Sequence, residues 1–354
     1  MAWYGGHNQP GVLLMCRNRT TGISVLLLLA ISVAAGAEDA EPEWTMSPPL
    51  FRLAKSDSDA PATLLDPCAV KHGGQWHVFA GGPGGVMYYP LDDFKPDGAV
   101  IRGRKTSAAG LGVPQVYYHR ASKKWHMVGQ QSYKDGDGKM WFTPVLSVND
   151  TVGDPAGWSK PIPMQVALPL EENKRAAGWM DFYVIFESEK VHLFGTSGGR
   201  LWRTETKTAG FPQGWSTPVL ALKGNIGLAS HTYRQDSDKG PRFFATITSS
   251  AQDPESKKHK QLQVSYIAEK LDGPWTPEKD KKDIPYVGFG NCIIADPRWN
   301  REIIHGEPLR HESDERMRLE TEPAMFVFHA KAKLQDSETA ATIDCLGILQ
   351  RRGQ

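Results

Sequence analysis

Two aspartates open apolar strands in different parts of the chain, and they are the carboxylates best placed for acid–base chemistry. Asp66 precedes an apolar run that leads to Phe79, and Asp181 lies between Trp179 and Phe182 at the start of another apolar run. Burying an ionised carboxylate is costly unless it has partners or a catalytic role. A purely structural role, capping a turn or accepting backbone amides, stays open for both, and more so for Asp66 because a proline follows it.

A third polar group occurs near the C-terminal end, in the sequence His305-Gly-Glu-Pro-Leu-Arg310. A histidine, an acid and an arginine within six residues are suited to line a polar site. A strand-end histidine beside a surface ion pair is an equally common arrangement. This motif therefore does not indicate a functional site by itself, without the two aspartates.

The elements that would position these residues are short strands joined by recurring turns. Similar Trp-Ser/Thr turns surround Trp158, Trp215 and Trp275, at spacings of 57 and 60 residues. Hairpin patterns, with two apolar runs around a polar turn, span 69–79, 116–128, 182–194 and 232–246. Several strands per repeat are typical of propeller blades, and about 317 residues divided by about 58 predicts roughly five blades. The alternative, a two-sheet sandwich, does not explain the tryptophan turns.

Composition narrows the function classes further. The chain has 354 residues with 41 basic and 40 acidic side chains, a formal charge of +1. This balance favours neither nucleic acid nor an anionic membrane as a partner. The counts of 35 Gly, 25 Pro, 11 Trp and 10 Tyr favour short strands and tight turns and exclude a helical bundle.

The N-terminal segment has the order of a secretory signal. Ile23–Gly36 is apolar, follows Arg17 and Arg19, and precedes small residues; this run is shorter than the roughly 20 residues of a membrane span. We expect residues 1–37 to be a signal peptide, with the true start at Met15, and residues 38–354 to be a single propeller domain. The mature protein would be secreted or periplasmic and free of the membrane; an uncleaved anchor is the alternative.

The cysteines indicate no metal site. Cys16, Cys68, Cys292 and Cys345 have neither CxxC nor Cys/His zinc spacing. Loss of Cys16 with the signal leaves three, so the chain holds either one disulfide and one free thiol or three buried thiols.

Eight short motifs occur in an order that resembles glycoside hydrolase family 62, the α-L-arabinofuranosidases that remove arabinose branches from arabinoxylan, arabinan and related polymers. The resemblance runs from about residue 47 to 351. The motifs are Ser47–Leu50, Leu65–Pro67, Gln75–Phe79, Val113–Tyr117, Trp179–Phe182, Gly199–Arg203, Ala229–Tyr233 and His305–Arg310. That family is a five-bladed β-propeller, in agreement with the blade count.

The resemblance also implies roles for individual residues. The family hydrolyses its substrate with inversion, using one carboxylate as base and a separate carboxylic acid as proton donor. Asp66 matches the general base, and Asp181 matches an aspartate that orients the sugar and tunes the pKa of the acid. Side chains expected in or near the arabinose pocket are Gln115, Trp179, His305 and Arg310. The reaction requires no cofactor, and a structural calcium ion is expected close to His305.

One position departs from the family pattern. Where the family has its general-acid glutamate, this chain has Leu228, and no carboxylate occurs between Glu205 and Asp236. The family lysine before the base is replaced by Leu65. General-acid assistance contributes about 10² to 10⁴ in rate. Three explanations stay open: His231 donates the proton, the true acid lies elsewhere, or the protein is a carbohydrate-binding propeller without catalysis. A related furanosidase with a different sugar is a further alternative.

Overall fold

The computed structural model describes residues 42–50, 52–53, 63–82, 84–94, 100–101, 103–173, 175–228, 230–238, 240–278, 285–333 and 342–353. The expected signal peptide, residues 1–37, lies outside this set. The described residues belong to one compact unit. None of their helices is long and apolar enough to cross a membrane.

The described strands form one two-stranded sheet and five sheets of four or five strands. These five are arranged as the blades of a β-propeller, so the predicted fold is confirmed. The chain begins with β1 (Trp44–Met46) and β2 (Arg52–Leu53). Blade I contains β3 (Leu65–His72), β4 (Gln75–Gly82), β5 (Gly85–Leu91) and, after β6 (Val100–Ile101), β7 (Arg104–Ala109). Blade II contains β8 (Gly112–His119), β9 (Lys124–Lys134), β10 (Met140–Asn149) and β11 (Ile162–Pro163).

The remaining three blades follow in chain order. Blade III contains β12 (Met180–Phe186), β13 (Lys190–Ser197), β14 (Arg200–Lys207), a 3₁₀ turn (Thr208–Gly210) and β15 (Val219–Lys223). Blade IV contains β16 (Ser230–Gln235), β17 (Arg242–Gln252), β18 (His259–Ala268) and β19 (Thr276–Pro277). Blade V contains β20 (Cys292–Ile293), β21 (His305–Pro308), β22 (Met325–Lys333) and β23 (Thr342–Arg351).

The first strand closes the ring by joining the last blade. β1 pairs antiparallel with β23, with Trp44 opposite Arg351, and pairs parallel with β20 on its other side. Trp44 is fully buried there. Blade V is therefore built from both ends of the described chain, which joins the two ends of the ring in one sheet.

The tryptophan turns seen in the sequence occupy one equivalent place in three blades. Trp158, Trp215 and Trp275 each lie between the third and fourth strands of blades II, III and IV. Trp158 and Trp275 are buried. The recurring motif therefore marks the turn to the outermost strand.

A segment that follows β21, Leu309–Glu320, covers one end of the propeller axis, and we call it the closing segment. The backbone amides of Tyr118, Phe186 and Arg234, at the ends of three inner strands, donate to carbonyl oxygens of this segment at 2.6, 3.0 and 3.1 Å. Ser313 of the segment also bonds the backbone of Lys71 in β3. The inner strands begin at the opposite end, and we call that the opening end.

The three cysteines among the described residues, Cys68, Cys292 and Cys345, are buried free thiols. Of the two arrangements left open by the sequence, the structure has the one without a disulfide. Burial raises the pKa of Cys292 and Cys345 to about 12, so these thiols are unreactive.

Candidate active site

Asp66 lies at the opening end as the second residue of β3. Its side chain is 21% exposed, and its carboxylate accepts a bond from His305 Nδ1 at 2.9 Å. The backbone amide of Asp66 donates to His329 Nδ1 at 3.0 Å. Burial alone would raise the pKa of Asp66, but His305 and the neighbouring imidazoles outweigh it and lower the pKa below its usual value. The carboxylate is therefore ionised at neutral pH, as a general base must be.

Asp181 has the equivalent place in blade III, as the second residue of β12. Its side chain is buried, and its backbone amide donates to the side-chain oxygen of Gln130 in β9 at 2.7 Å. Asp181 also contributes, as Asp66 does, to a raised pKa of His305. The two aspartates thus act on the same imidazole from different blades.

A shared backbone irregularity positions these residues. The pairing of β3, β8 and β12 with their neighbours shifts register at the second residue of each strand. Those residues, Asp66, Val113 and Asp181, have φ angles of 51°, 52° and 58°. A left-handed conformation costs a non-glycine residue roughly 1–2 kcal/mol, and such strain concentrates at functional sites. Two of the three strained positions carry a carboxylate.

Histidines connect Asp66 to the interior in a continuous chain. His305 Nε2 lies 2.7 Å from His231 Nε2, and the His231 ring stacks on Tyr183 with centroids 5.5 Å apart. An ionised carboxylate only accepts hydrogen bonds, so the Nδ1 of His305 carries a proton. Burial favours the neutral form of His305, but Asp66 outweighs it and raises the pKa above the usual value.

Further down the axis, Glu307 links three inner strands. It is fully buried and accepts bonds from the backbone amide of Ala69 at 2.6 Å and from the Tyr233 hydroxyl at 3.3 Å. Burial raises the pKa of its carboxyl group. Its bonds give Glu307 a role in holding blades I, IV and V together.

Gln115 and Arg310, both expected in the arabinose pocket, are bound to other strands. Gln115 exchanges two bonds with the backbone of Val184, at 2.7 and 2.8 Å. The guanidinium of Arg310 donates to the carbonyl oxygen of Val116 at 3.1 Å. Both side chains are buried, so the structure shows them linking inner strands, and their contact with substrate stays a prediction.

Trp179 and His305 are the two expected pocket residues that lie beside the aspartates. Trp179 directly precedes β12, is buried, and packs edge-on against Phe182 with centroids 5.0 Å apart. His305 is the first residue of β21 and bonds Asp66. Both residues therefore lie at the opening end, and their contact with substrate stays a prediction.

Leu228 lies at the opening end as well, two residues before β16, and is partly exposed. The preceding Gly227 is fixed by a bond from its amide to the carbonyl oxygen of Thr248 at 2.8 Å. Glu205 and Asp236, the carboxylates that bracket this segment in sequence, form ion pairs with Arg203 and Arg234. Neither supplies a proton donor beside Leu228.

Sequence reasoning missed His329 and Gln130. His329 faces Asp66 from β22, and burial lowers its pKa to about 4, so it is neutral at pH 7. A single histidine inside the apolar run Met325–Ala330 was the available signal for it. Gln130 carried no signal, because its role depends on contact between blades.

The described residues show no preformed set of His, Cys, Asp or Glu ligands for the calcium ion expected near His305. Within the described part of the chain, no group of three or more His, Cys, Asp or Glu side chains is arranged to hold a metal ion. Both ring nitrogens of His305 already have partners, Asp66 and His231. The calcium ion near His305 therefore stays a prediction from the family resemblance.

Comparisons with known proteins agree with this arrangement. The family model "Glycosyl hydrolase family 62" matches residues 43–345. The curated alpha-L-arabinofuranosidase C of Cellvibrio japonicus (strain Ueda107) is 26% identical over 300 residues; the match covers 78% of this chain and 42% of that protein, less than half its length.

Two solved structures share the fold over most of their length. The catalytic domain of a family 62 α-L-arabinofuranosidase of Coprinopsis cinerea is 25% identical, with a TM-score of 0.71 over 88% of this chain and 98% of that chain. An α-L-arabinofuranosidase of Podospora anserina, in complex with cellotriose, is 24% identical, with a TM-score of 0.70 over 88% and 96% of the two chains.

Proposed function

The chain belongs to glycosyl hydrolase family 62, and from this premise we propose that it is a glycoside hydrolase that removes α-L-arabinofuranosyl branches from arabinoxylan-type polysaccharide. The curated relative is named an arabinofuranosidase, which supports arabinose as the sugar that is released. We propose an arabinoxylan-type main chain on the basis of the family resemblance.

The single observation that carries the proposal is the pair of strained carboxylates at the opening end. Asp66 and Asp181 occupy equivalent left-handed positions in blades I and III and act on one imidazole, that of His305. Val113 has the same conformation in blade II, and glycine at any of these positions would relieve the strain. A catalytic role gives a reason for both carboxylates and both conformations.

In the proposed mechanism Asp66 removes a proton from the water that attacks the anomeric carbon, with inversion of configuration. Its ionised state is secured by the proton on His305 Nδ1. Asp181 orients the arabinose ring, and Gln130 fixes the backbone of Asp181. The leaving oxygen must receive a proton, and Leu228 cannot supply it.

The absence of a carboxylate between Glu205 and Asp236 is the observation that favours a second candidate function, a carbohydrate-binding propeller without catalysis. Under either function the partner is a polysaccharide or oligosaccharide with arabinofuranosyl branches. We also propose that the protein acts outside the cytoplasm, secreted or periplasmic, after loss of residues 1–37. Sequencing the N-terminus of exported protein tests that cleavage.

The deciding experiment is release of arabinose from arabinoxylan by the purified protein, followed by chromatography. The matched substrate is an aryl α-L-arabinofuranoside with an acidic phenol, which needs little protonation of its leaving oxygen. We expect hydrolysis of both, with the aryl substrate cleaved much faster. Binding of arabinoxylan without release from either substrate would establish the binding propeller instead, and no binding or release would reject both functions.

A further inference from the structure

We propose that Asp344, near the start of β23, is the carboxylic acid that donates a proton to the leaving oxygen when the arabinosyl bond breaks. This inference rests on the proposed function and deepens it, because it assigns the step that Leu228 cannot perform. A donor for this step must be protonated, within reach of the substrate, and separated from the base by room for a water molecule. The contacts between blades I and V place Asp344 in such a position.

The segment that leads into β3 crosses the opening end of blade V, from β23 toward β22. The backbone amide of Leu64 donates to the carbonyl oxygen of Asp344 in β23 at 3.1 Å. Two residues further on, the amide of Asp66 donates to His329 in β22 at 3.0 Å. Two residues of extended chain span at most about 7 Å, so the backbone of Asp66 lies within about 10 Å of the Asp344 carbonyl oxygen.

The side chain of Asp344 is on the face of β23 that is turned toward blade I. Leu346 and Ile348 pack in one buried cluster with Leu64 and Ala69, at the start of blade I. Alternate residues of a strand point to the same face of the sheet, so Asp344 shares the face of Leu346 and Ile348. The Asp344 carboxyl group therefore points toward the blade that carries the base.

The register of blade V also fixes the spacing between Asp344 and the base. In the pairing of β22 with β23, His329 is opposite Leu346 and Lys331 is opposite Asp344. Diagonal neighbours on one face of such a pair are about 7–8 Å apart, which is the relation between His329 and Asp344. The His329 ring is 3.7 Å from the Asp66 carboxylate. This spacing suits the gap of about 6.5–9.5 Å that an inverting pair of carboxyl groups leaves for its water.

The groups that face Asp344 from both blades keep its carboxyl group protonated to higher pH than usual. Burial raises the pKa of Asp344, the Lys331 ammonium opposes this effect, and the Asp66 carboxylate adds to it, so that the pKa lies above its usual value. His329, a further titratable group on this face, is neutral at pH 7 because burial lowers its pKa to about 4. Asp344 is only half-buried, which leaves it within reach of a substrate at the opening end.

Glu307 shows why a raised pKa is not sufficient for this role. Burial raises the pKa of Glu307 as well, but its side chain is fully buried and accepts bonds from the Ala69 amide and the Tyr233 hydroxyl. Glu307 therefore holds strands together and cannot contact the leaving oxygen. Asp344 combines a raised pKa with exposure at the end where Asp66 lies.

The proton balance of the step involves both carboxyl groups. As the bond breaks, the Asp344 proton passes to the leaving oxygen, while Asp66 takes a proton from the water that attacks the anomeric carbon. Both side chains are partly exposed, so exchange of protons with solvent restores the starting state. Asp344 is on the third strand from the axis, whereas Leu228 directly precedes an inner strand. We therefore expect less assistance from Asp344 than from a glutamate at position 228.

The test compares Asp344→Asn with Asp92→Asn, a change of an exposed aspartate of blade I that bonds Gln75. Initial rates are measured on arabinoxylan and on the aryl arabinofuranoside with an acidic phenol. We expect Asp344→Asn to lower the rate on arabinoxylan about 10- to 100-fold and the aryl rate less than about 3-fold, because an acidic phenol leaves without protonation. Asp92→Asn should keep both rates. Asp344→Glu retains an acid and should keep more of the arabinoxylan rate than Asp344→Asn.

Lys331→Gln gives a second measurement, which a purely structural role of Asp344 would not change. The Lys331 ammonium lowers the pKa of Asp344, so its removal should raise that pKa. The donor then stays protonated to higher pH, and the alkaline limb of kcat/KM for arabinoxylan should move to higher pH. An alkaline limb that stays in place would show that Asp344 is not the titrating donor.

Four further outcomes would overturn the inference. Wild-type arabinose release by Asp344→Asn rejects Asp344 as the donor and leaves the proposed function standing. An equal loss on both substrates, with or without a lower thermal midpoint, indicates a structural role and rejects it as well. Wild-type protein that cleaves only the aryl substrate has no effective donor. Wild-type protein that releases arabinose from neither substrate rejects the proposed function together with its donor.

Discussion

At the far end of the axis the closing segment accepts backbone bonds from three inner strands, whereas at the opening end Asp66 and Asp181 have left-handed conformations where inner strands begin. Met317, in the closing segment, is left-handed as well. Asp314 of the closing segment is paired with Arg120 and accepts the amide of Arg316. Buried nitrogens without a hydrogen-bond partner among the described residues occur at both ends: His231 Nδ1 at the opening end, and Arg310 Nε and Arg318 Nε in the closing segment.

The two ends therefore contribute differently to stability and to function. Strained positions persist only when surrounding structure fixes them, and the satisfied bonds of the far end and of Glu307 supply that support. Substitutions at the opening end should therefore change chemistry with little change in stability. Substitutions at the far end should do the reverse.

The largest effect is expected at the opening end, from Asp66→Asn. Loss of the base should lower the rate of aryl arabinofuranoside hydrolysis about 10² to 10⁴-fold, with only a small change in thermal midpoint. Asp236→Asn, an exposed aspartate at the far end, is the matched control. Near-wild-type rates in Asp66→Asn would remove Asp66 from the mechanism.

Leu228→Glu should have the next largest effect, because it adds a proton donor at the opening end. With Asp66 and Asp181 already in place, a glutamate should raise arabinose release from arabinoxylan about 10- to 100-fold, a partial recovery of general-acid assistance. The aryl substrate should gain much less. Leu228→Gln is the control, because a glutamine side chain cannot transfer a proton to the leaving oxygen. An equal gain in arabinose release by that variant would contradict this role.

At the far end, Asp314→Ala should cost stability and leave the reaction unchanged. Removing a buried carboxylate that pairs with Arg120 and caps Arg316 should lower the free energy of unfolding by about 2 kcal/mol, measured by urea titration. The control is Asp150→Ala, whose side chain is 80% exposed and 3.0 Å from Lys124; exposed pairs of this kind contribute about 0–1 kcal/mol. A changed rate of hydrolysis per folded molecule in Asp314→Ala would contradict the separation of stability and chemistry between the two ends.

The smallest effect should come from pH, through His126 in β9. Burial lowers the pKa of this imidazole to about 3, below the value of about 6.5 for an unfolded chain. Protonation therefore favours the unfolded state, so stability is lost as pH falls below 6.5, by about 1–2 kcal/mol between pH 7 and pH 5. His126→Phe should flatten that part of the pH dependence of urea unfolding, and a variant with the wild-type slope would contradict this assignment.

Much of the fold was predictable because blades repeat. The turns around Trp158, Trp215 and Trp275 and four hairpin patterns sufficed for a five-bladed propeller, and these hairpins correspond to the two innermost strands of blades I–IV. The closure of blade V by β1 was not predictable. That pairing joins residues about 300 positions apart, and a three-residue strand carries no periodic signal.

The candidate site was predictable in part. Asp66 and Asp181 stood out because carboxylates are rare at the start of apolar strands, and both lie at such starts in the structure. Their left-handed conformations and the contact of His231 with His305 depend on packing between blades, which sequence spacing does not encode. The bond from Arg310 to the backbone of β8 could not be predicted either, because it joins residues of different blades.

The closure of blade V by β1 has a consequence for how the protein forms. Because β1 pairs with β23, the ring cannot be completed during synthesis until the last strand has left the ribosome, while blades I to IV have strands that are neighbours in sequence and can pair earlier. Contacts of such long sequence separation slow folding and leave a late intermediate with exposed strand edges. We therefore expect the blades to form in chain order, with the burial of Trp44 among the last steps.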